Sequence, residues 1–435
     1  MHFYDKNIFN YIITKTILFI FFIQDNYMGI IHRAFKTRIY PTSTQKTQID
    51  KTLGCSRALF NMMLYERKSF YDLHKDDKNK KILWEFKYKT EKEYKQQYPW
   101  MKEADSMALQ QSRLDLSQSY QNFFKGLSGK YKSKYGFPKF KRKKIGSSYR
   151  TMNNGLIEID FVENKIKLPK LNWVKFRDKR KNIIQGVIKS ATVSRSSTGK
   201  YFVSVLIEQD LILDGQIIDD RTKAKTIGLD MSLQKFFVDQ NGQSPSYEKI
   251  YKSYEPKLKK IHRKFSKKRK GSKNWYEALL RMNRVYEKIS NKRKDFTQKL
   301  STQLVRDYDV IVVESLSLKE MSQTLNLGKS VMDLGYSDFV RQLQYKSLWN
   351  NKCLIQADKW FASSKTCSMC GYVNRELELS DRTWTCSNCG VDHDRDQNAG
   401  QNLVAYSIKY LGQELSEVKL VELKKATKQE KMISS

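Results

Sequence analysis

The stretch TCSNCGVDHDRDQNAG, residues 385–400, sets two cysteines a few positions ahead of three aspartates. Thiolates favour zinc, whereas carboxylate oxygens favour magnesium, so one short segment carries donors for two different metals. The cysteines belong to a larger pattern. Cys367, Cys370, Cys386 and Cys389 are spaced C-x2-C-x15-C-x2-C. Each C-x-x-C turn aims two thiolates at one point, and the gap leaves room for a hairpin. Four thiolates make a closed tetrahedral zinc site with no open position, so this zinc is structural and not catalytic. His393 is not needed as a ligand and is expected to be exposed or to touch nucleic acid.

The candidate catalytic groups are carboxylates. Asp230 ends the apolar run TIGL, Glu314 ends VIVV, and Asp396 sits at an expected helix start. Any one of them alone could be a turn residue or a helix cap. Together they describe a hairpin strand, a later strand running parallel to it, and a C-terminal helix, whose acids can meet at one sheet edge. Such a site holds two Mg²⁺ ions about 4 Å apart, one activating a water and the other stabilising the leaving oxygen of a phosphodiester.

The elements that must position these groups are legible from periodicity. IIHRAFKTRIY, residues 30–40, reads as a strand closed by Pro41, and a helix follows with Ser43 or Thr44 as its cap. Helical patterns run to about Gly126, with a break near Pro99. Short alternating stretches between 150 and 212 read as antiparallel strands, so a small β-domain is split by a helical one. KTIGLDMSLQKFFVDQNG reads as strand, turn, strand and an Asn-Gly turn. Residues 255–306 are helical and intensely basic; YDVIVVESL and NKCLIQADKWF are strands; a helix begins near Asp396. The expected division is 1–27 (an over-extended start), 28–45 and 130–224 (β-domain), 46–129 (helical domain), 225–362 and 392–412 (nuclease core), 363–391 (zinc ribbon) and 413–435 (tail).

A net charge of +35 over 435 residues points to a polyanion. Residues 130–150 contain nine Lys or Arg, five aromatics and no acid, which suits phosphate neutralisation with base stacking. Lys139, Lys141, Arg142 and Lys143 are the expected phosphate contacts there. Lys267, Lys268 and Arg269 are the expected contacts in the run KKIHRKFSKKRK, residues 259–270. Paired C-x-x-C usage implies a reducing compartment; the expected location is cytoplasmic, in a bacterium and in association with the nucleoid. Cys353 is expected to be a buried small residue, and Cys55 has no evident partner. The apolar run ILFIFFI, residues 17–23, is too short to span a bilayer, so no membrane partner is expected. Translation is expected to begin at Met28.

Several motifs together resemble the transposon-encoded TnpB (OrfB) family of RNA-guided RuvC-like nucleases, relatives of type V CRISPR effectors. They are FKTRIYPT, LGCSRALFN, GFPKFKRKK, LPKLNWVKFR, IGLDMS, IVVESL, WFASSKTCSMCG, CSNCG and DRDQNAGQNL. The resemblance implies an α/β and β multidomain fold. Its parts would be an RNase H-like (RuvC) core with a four-cysteine zinc ribbon, and an N-terminal wedge-type β-barrel interrupted by a helical recognition domain. It implies Asp230, Glu314 and Asp396 as the catalytic acids, with Asp394 the near alternative to Asp396. Structural Zn²⁺ and two catalytic Mg²⁺ would be the cofactors. A guide RNA from the transposon end and double-stranded target DNA beside a short adjacent motif would be the partners. NAG stands where the family more often has NAA, and Ser317 follows ESL where Asn is frequent. Neither departure removes a carboxylate.

Three other classes compete: an inactive regulator, a transposase that itself joins strands (of HUH or DDE type), and an accessory protein. A nuclease-inactive regulator of transposition would share every feature except working acids. An HUH transposase needs histidines at i and i+2, which His2, His32, His74, His262 and His393 do not supply. A DDE transposase would not be expected to carry a zinc ribbon before its third acid. A ribosomal or transcription accessory protein would not need strand-end acids in a chain of this length. Oligomeric state is not legible.

Overall fold

The computed structural model describes residues 28–77, 86–128, 136–143, 146–178, 186–212, 224–316, 328, 333–378 and 380–410. The expectations for residues 1–27 and 413–435, and for Ser317, lie outside these. The chain forms two compact units, Gly29–Asp210 and the chain from Leu211 onward.

The first unit joins a seven-stranded sheet to a helical layer. Its strands are β1 (Met28–Tyr40), β2 (Ser147–Met152), β3 (Glu158–Asp160), β4 (Lys165–Leu168), β5 (Asn172–Phe176), β6 (Val187–Arg195) and β7 (Tyr201–Ile212). They lie in the order β2-β6-β7-β1-β5-β4-β3. Alternation drives the packing: Ala191, Val193, Val203, Val205 and Ile207 point into one core with Phe35, Ile39 and Val174. The expected barrel does not close among the described residues. Closure would require β2 to pair with β3. The chain turns sharply between them instead, where Asn153 donates to Ile188 O and accepts from Ile157 N.

The helices are α1 (Ser43–His74), α2 (Glu91–Gln97) and α3 (Ser106–Leu127), with a 3₁₀ turn at Pro99–Glu103. Pro99 breaks the helical run as expected, since it lacks the amide a continuing helix needs. The cap of α1 is Thr42, not Ser43 or Thr44. Thr42 and Gln45 form a reciprocal capping box that places the helix start one residue earlier. Cys55 is buried with Leu59, Phe60, Met63, Leu109 and Leu116 in the helical core.

The second unit contains β8 (Thr226–Ser232), β9 (Phe236–Asp239), β10 (Val310–Glu314) and β11 (Cys353–Ala357), ordered β11-β10-β8-β9. β10 runs parallel to both β8 and β11, and β9 is antiparallel to β8. The central strands read as continuous apolar runs because helices cover the sheet. The helices are α4 (Ile250–Ser266), α5 (Lys273–Asp307), α6 (Tyr336–Trp349) and α7 (395–410). The basic run expected to be helical forms two helices, parted at 267–272, where Gly271 takes φ +85°. Lys267, Lys268 and Arg269 therefore sit exposed on an inter-helix turn. Cys353 is only partly buried, at the start of edge strand β11. Among the described residues no helix is long and apolar enough to cross a membrane.

Candidate active site and metal centre

The parallel register of β8 and β10 sets the first two acids. Leu229 pairs with Val313, so Asp230 and Glu314 follow one step later on adjacent strands, at their carboxyl ends. The two side chains share a hydrogen bond. Asp396 comes from the first turn of α7, and its charge acts on both. Burial, then the charges of Glu314 and Asp396, push the Asp230 carboxyl far above the usual carboxylate range. Burial raises Glu314 as well, opposed by hydrogen bonds from Ser363 and Asp230. Like charges this close disfavour ionisation of both carboxyls. Three partly buried carboxylates offer the hard oxygen donors that suit Mg²⁺.

The structure separates Asp394 from Asp396. Asp394 caps α7, its Oδ1 accepting the Gln397 amide at 2.9 Å, and it is exposed. Asp396 is not the cap; its carboxylate lies 3.5 Å from Arg382, and its charge reaches Asp230 and Glu314. Arg395, between Asp394 and Asp396, is buried. Its guanidinium donates to Glu378 O at 2.7 Å and Asp381 O at 3.4 Å, while its charge draws the Asp230 and Glu314 carboxyls down. Arg395 was not singled out from sequence, although its place inside D-R-D is a signal.

Helix α7 reaches the sheet through two glycines. A Cβ on Gly228 would lie 2.3 Å from Gly400 O, and one on Gly400 would lie 2.6 Å from Gln240 N. Gly400 is thus a close-approach residue, which gives the NAG variant a physical reason. Gln240 secures the same hairpin, accepting from Gly228 N and donating to Thr226 O.

The four cysteines converge as expected, with their sulfurs all within 4.8 Å of one another. Each knuckle repeats one design. Gly371 N donates to Cys367 O and Gly390 N to Cys386 O, and both glycines have positive φ. The donor set fits zinc in a closed site. Within the cluster a hydrogen bond with Asn388, first among several, pulls the Cys370 thiol down, while hydrogen bonds with its fellow cysteines push Cys389 up. The ribbon hairpin, β12 (Thr383–Thr385) with β13 (Asp392–Asp394), brackets the second knuckle rather than filling the gap between the pairs. His393 is neither exposed nor placed at a surface. It is buried, its ring lies 4.7 Å from Trp384, and its Nε2 is 3.0 Å from Cys367 Sγ. Pairing of Trp384 with His393 across the hairpin turns the ring inward.

The basic residues are split. Lys139, Arg142 and Lys143 are exposed. Lys141 is engaged: its backbone is clasped on both sides by Asn61, and its ammonium lies 4.0 Å over the Phe60 ring and 3.8 Å from Asp115. Lys139, Lys141 and Arg142 line, with Arg57, Lys68 and Arg150, a cleft of about 960 Å³ in the first unit. Arg150 closes the basic run 130–150, whereas Arg57 and Lys68 were missed because they lie far from it in sequence and join it only through the packing of α1.

Two acids at the ends of parallel strands and a third at a helix start, beside a four-thiolate knuckle in a strongly basic chain, fit a protein that handles nucleic acids. Three family models match: "Helix-turn-helix domain" over residues 28–76, "Probable transposase" over 203–325 and "Cas12f1-like, TNB domain" over 336–403. A relative from Streptomyces pristinaespiralis, named "Putative RNA-guided DNA endonuclease", is 30% identical over 387 residues, covering 87% of this chain and 90% of the relative. InsQ of Escherichia coli K12, with the same description, is 27% identical over 390 residues, covering 86% and 92%. The chain belongs to the TnpB (OrfB) family. A cryo-EM structure of a Cas12f1-sgRNA-target DNA complex aligns with TM-score 0.47 and 13% identity, over 86% of this chain and 99% of that one. Residues 28–76 hold a strand and one unbroken helix, not a helix-turn-helix.

Proposed function

We propose that this protein is an RNA-guided DNA endonuclease of transposon origin, and that Asp230, Glu314 and Asp396 hold two Mg²⁺ ions for hydrolysis of the target phosphodiester. The single observation that carries the reading is the register that sets Asp230 and Glu314 side by side on β8 and β10, close enough to Asp396 of α7 for its charge to act on both. Both relatives are named for RNA-guided DNA cleavage and match across nearly their whole length. The strand order β11-β10-β8-β9 supports an RNase H-like (RuvC) core over 225–362 and 392–412, with a zinc ribbon at 363–391. Residues 28–45 and 130–224 would be the wedge-type β-domain and 46–129 the helical recognition domain.

Ions bound at the trio would supply an acidified water and neutralise charge on the phosphodiester oxygens. The chain's own residues fix the donors. The sheet holds Asp230 and Glu314 in register, and the Asp394 cap fixes the first turn of α7 that carries Asp396. Arg395 offsets the local negative charge. Guide pairing would read the sequence, leaving the protein to read backbone and the adjacent motif. Lys139, Arg142, Lys143, Lys267, Lys268 and Arg269 would meet phosphates. The guide RNA would come from the transposon end and the target would be double-stranded DNA.

The test is to co-express the chain from Met28 with its flanking transposon end, purify the ribonucleoprotein, and add Mg²⁺ and a plasmid library with a randomised motif beside the target. Depletion of one motif class, abolished by Asp230→Ala, is the expected result. Bound RNA with no cleavage would leave a regulator of transposition, and no bound RNA would refute the RNA-guided reading.

A further inference from the structure

We propose that Ser363 is a positioning residue for the carboxylate site, orienting Glu314, and that it is held in place by the same helix that carries Asp396. The inference rests on the reading of Asp230, Glu314 and Asp396 as the metal-binding acids. Ser363 is buried, and its hydroxyl donates to Glu314 Oε1 at 2.5 Å. A carboxylate at a strand end has free rotation about its terminal torsion. One short charge-assisted hydrogen bond removes that freedom and leaves the other oxygen for a cation.

Ser363 stands on no regular element of its own. It belongs to the loop 362–368 that leads into the first zinc knuckle, and α7 grips this loop along one face. Asn402 Nδ2 donates to Ser363 O at 2.7 Å and to Thr366 O at 2.6 Å. One turn earlier, Asn398 Nδ2 donates to Thr366 O at 2.8 Å, and its Oδ1 accepts Ser368 N at 3.0 Å. Gln401 accepts from the Ser368 hydroxyl at 2.7 Å. Asn398 and Asn402 are buried, so each lost bond would strand a polar group. The spacing 398, 401, 402 is one helix face, and Asp396 lies half a turn before it. A single rigid body, α7 with its bound loop, therefore carries Asp396, the donor to Glu314, and the first zinc knuckle. The knuckle and the carboxylates are neighbours in sequence because they share this body.

The experiment measures Mn²⁺ binding directly, by electron paramagnetic resonance titration of the full chain with its co-purified RNA, for wild type, Ser363→Ala, Asn402→Ala, Asp230→Ala and the Ser363→Ala/Glu314→Gln pair. Zinc content is read alongside. Ser363→Ala is expected to keep its zinc and weaken Mn²⁺ binding by roughly ten- to hundredfold, the usual cost of losing a partner behind a metal ligand. In the Glu314→Gln background the serine change should add nothing. Asn402→Ala should weaken Mn²⁺ in the same direction, with the serine hydroxyl still present. Wild-type Mn²⁺ affinity in Ser363→Ala overturns the proposal, and so does loss of zinc with it, which would make Ser363 a folding residue only. If Asp230→Ala also binds Mn²⁺ like wild type, the reading of the acid site itself fails. If Asp230→Ala loses binding and Ser363→Ala does not, only the positioning role fails.

Discussion

Replacing Gly400 with alanine should impair cleavage more than it impairs folding. The new Cβ would run into the peptide group between Asp239 and Gln240: Gln240 N at 2.6 Å, Asp239 C at 2.7 Å and Asp239 O at 2.9 Å. None of these atoms can swing away as a side chain would. Ordinary contact begins at 3.4 Å, so α7 and the β8–β9 hairpin must part by about 0.8 Å. Overpacking of this kind costs about 1–3 kcal/mol. Alanine returns about 1 kcal/mol through its better helix propensity. The net loss of stability is then only about 0–2 kcal/mol. The catalytic effect is larger, because Asp396 rides on the displaced helix while Asp230 stays with the strand. A misplacement of about 1 Å can cost on the order of 100-fold in rate. Cleavage rates at saturating Mg²⁺, set beside thermal unfolding of the zinc-loaded protein, separate the two effects. Wild-type cleavage with unchanged unfolding would show that the helix tolerates the methyl group, and the close-approach argument would fail.

Other perturbations give distinct outcomes. Asp394→Ala removes only a helix cap, at about 0.5–2 kcal/mol, and should retain measurable cleavage, whereas Asp396→Ala should abolish it. Cys367→Ser should release zinc, measured by metal analysis, and free the loop that α7 holds. Lys346 is buried with its ammonium on Ser301, Thr302 and the Gln298 carbonyl, and desolvation lowers its pKa to about 8 from 10.5. A base whose folded pKa is depressed is protonated in the unfolded chain but neutral in the native one between those values, so stability should rise with pH across that window. The gain approaches about 3 kcal/mol, at 1.36 kcal/mol per unit. Lys346→Met should abolish this rise in unfolding experiments at pH 7 and pH 10. Ser301 and Thr302 keep other partners, the carbonyls of Thr297 and Gln298, so the substitution should cost little at pH 7.

The parts of the site that were legible in sequence are those set by strand periodicity and ligand spacing. An apolar run ending in an acid marks both Asp230 and Glu314, because a buried parallel strand must end where a charge can reach the sheet's rim. The cysteine spacing is equally direct, since two identical knuckles need two identical turns. What sequence could not show depends on side chains meeting across the fold. Asp394 and Asp396 have the same type and neighbourhood, and only the hydrogen bond to Gln397 N separates cap from candidate ligand. His393 looked like a surface residue because it sits among acids, yet strand pairing turns it inward against Trp384. Ser363 stands 49 residues from the Glu314 it touches. Gly228 and Gly400 are each unremarkable alone, and their meaning lies in a contact between a strand and a helix far apart in the chain. That the sheet stays open between β2 and β3 depends on pairing that no residue pattern encodes.

The most direct measurement is anomalous diffraction from crystals of the protein soaked in Mn²⁺, recorded at both the manganese and zinc edges. The account predicts manganese between Asp230, Glu314 and Asp396, and zinc among Cys367, Cys370, Cys386 and Cys389. Zinc at the cysteines with no manganese at the carboxylates would contradict it, because the acids would then have met for some purpose other than holding the catalytic ions.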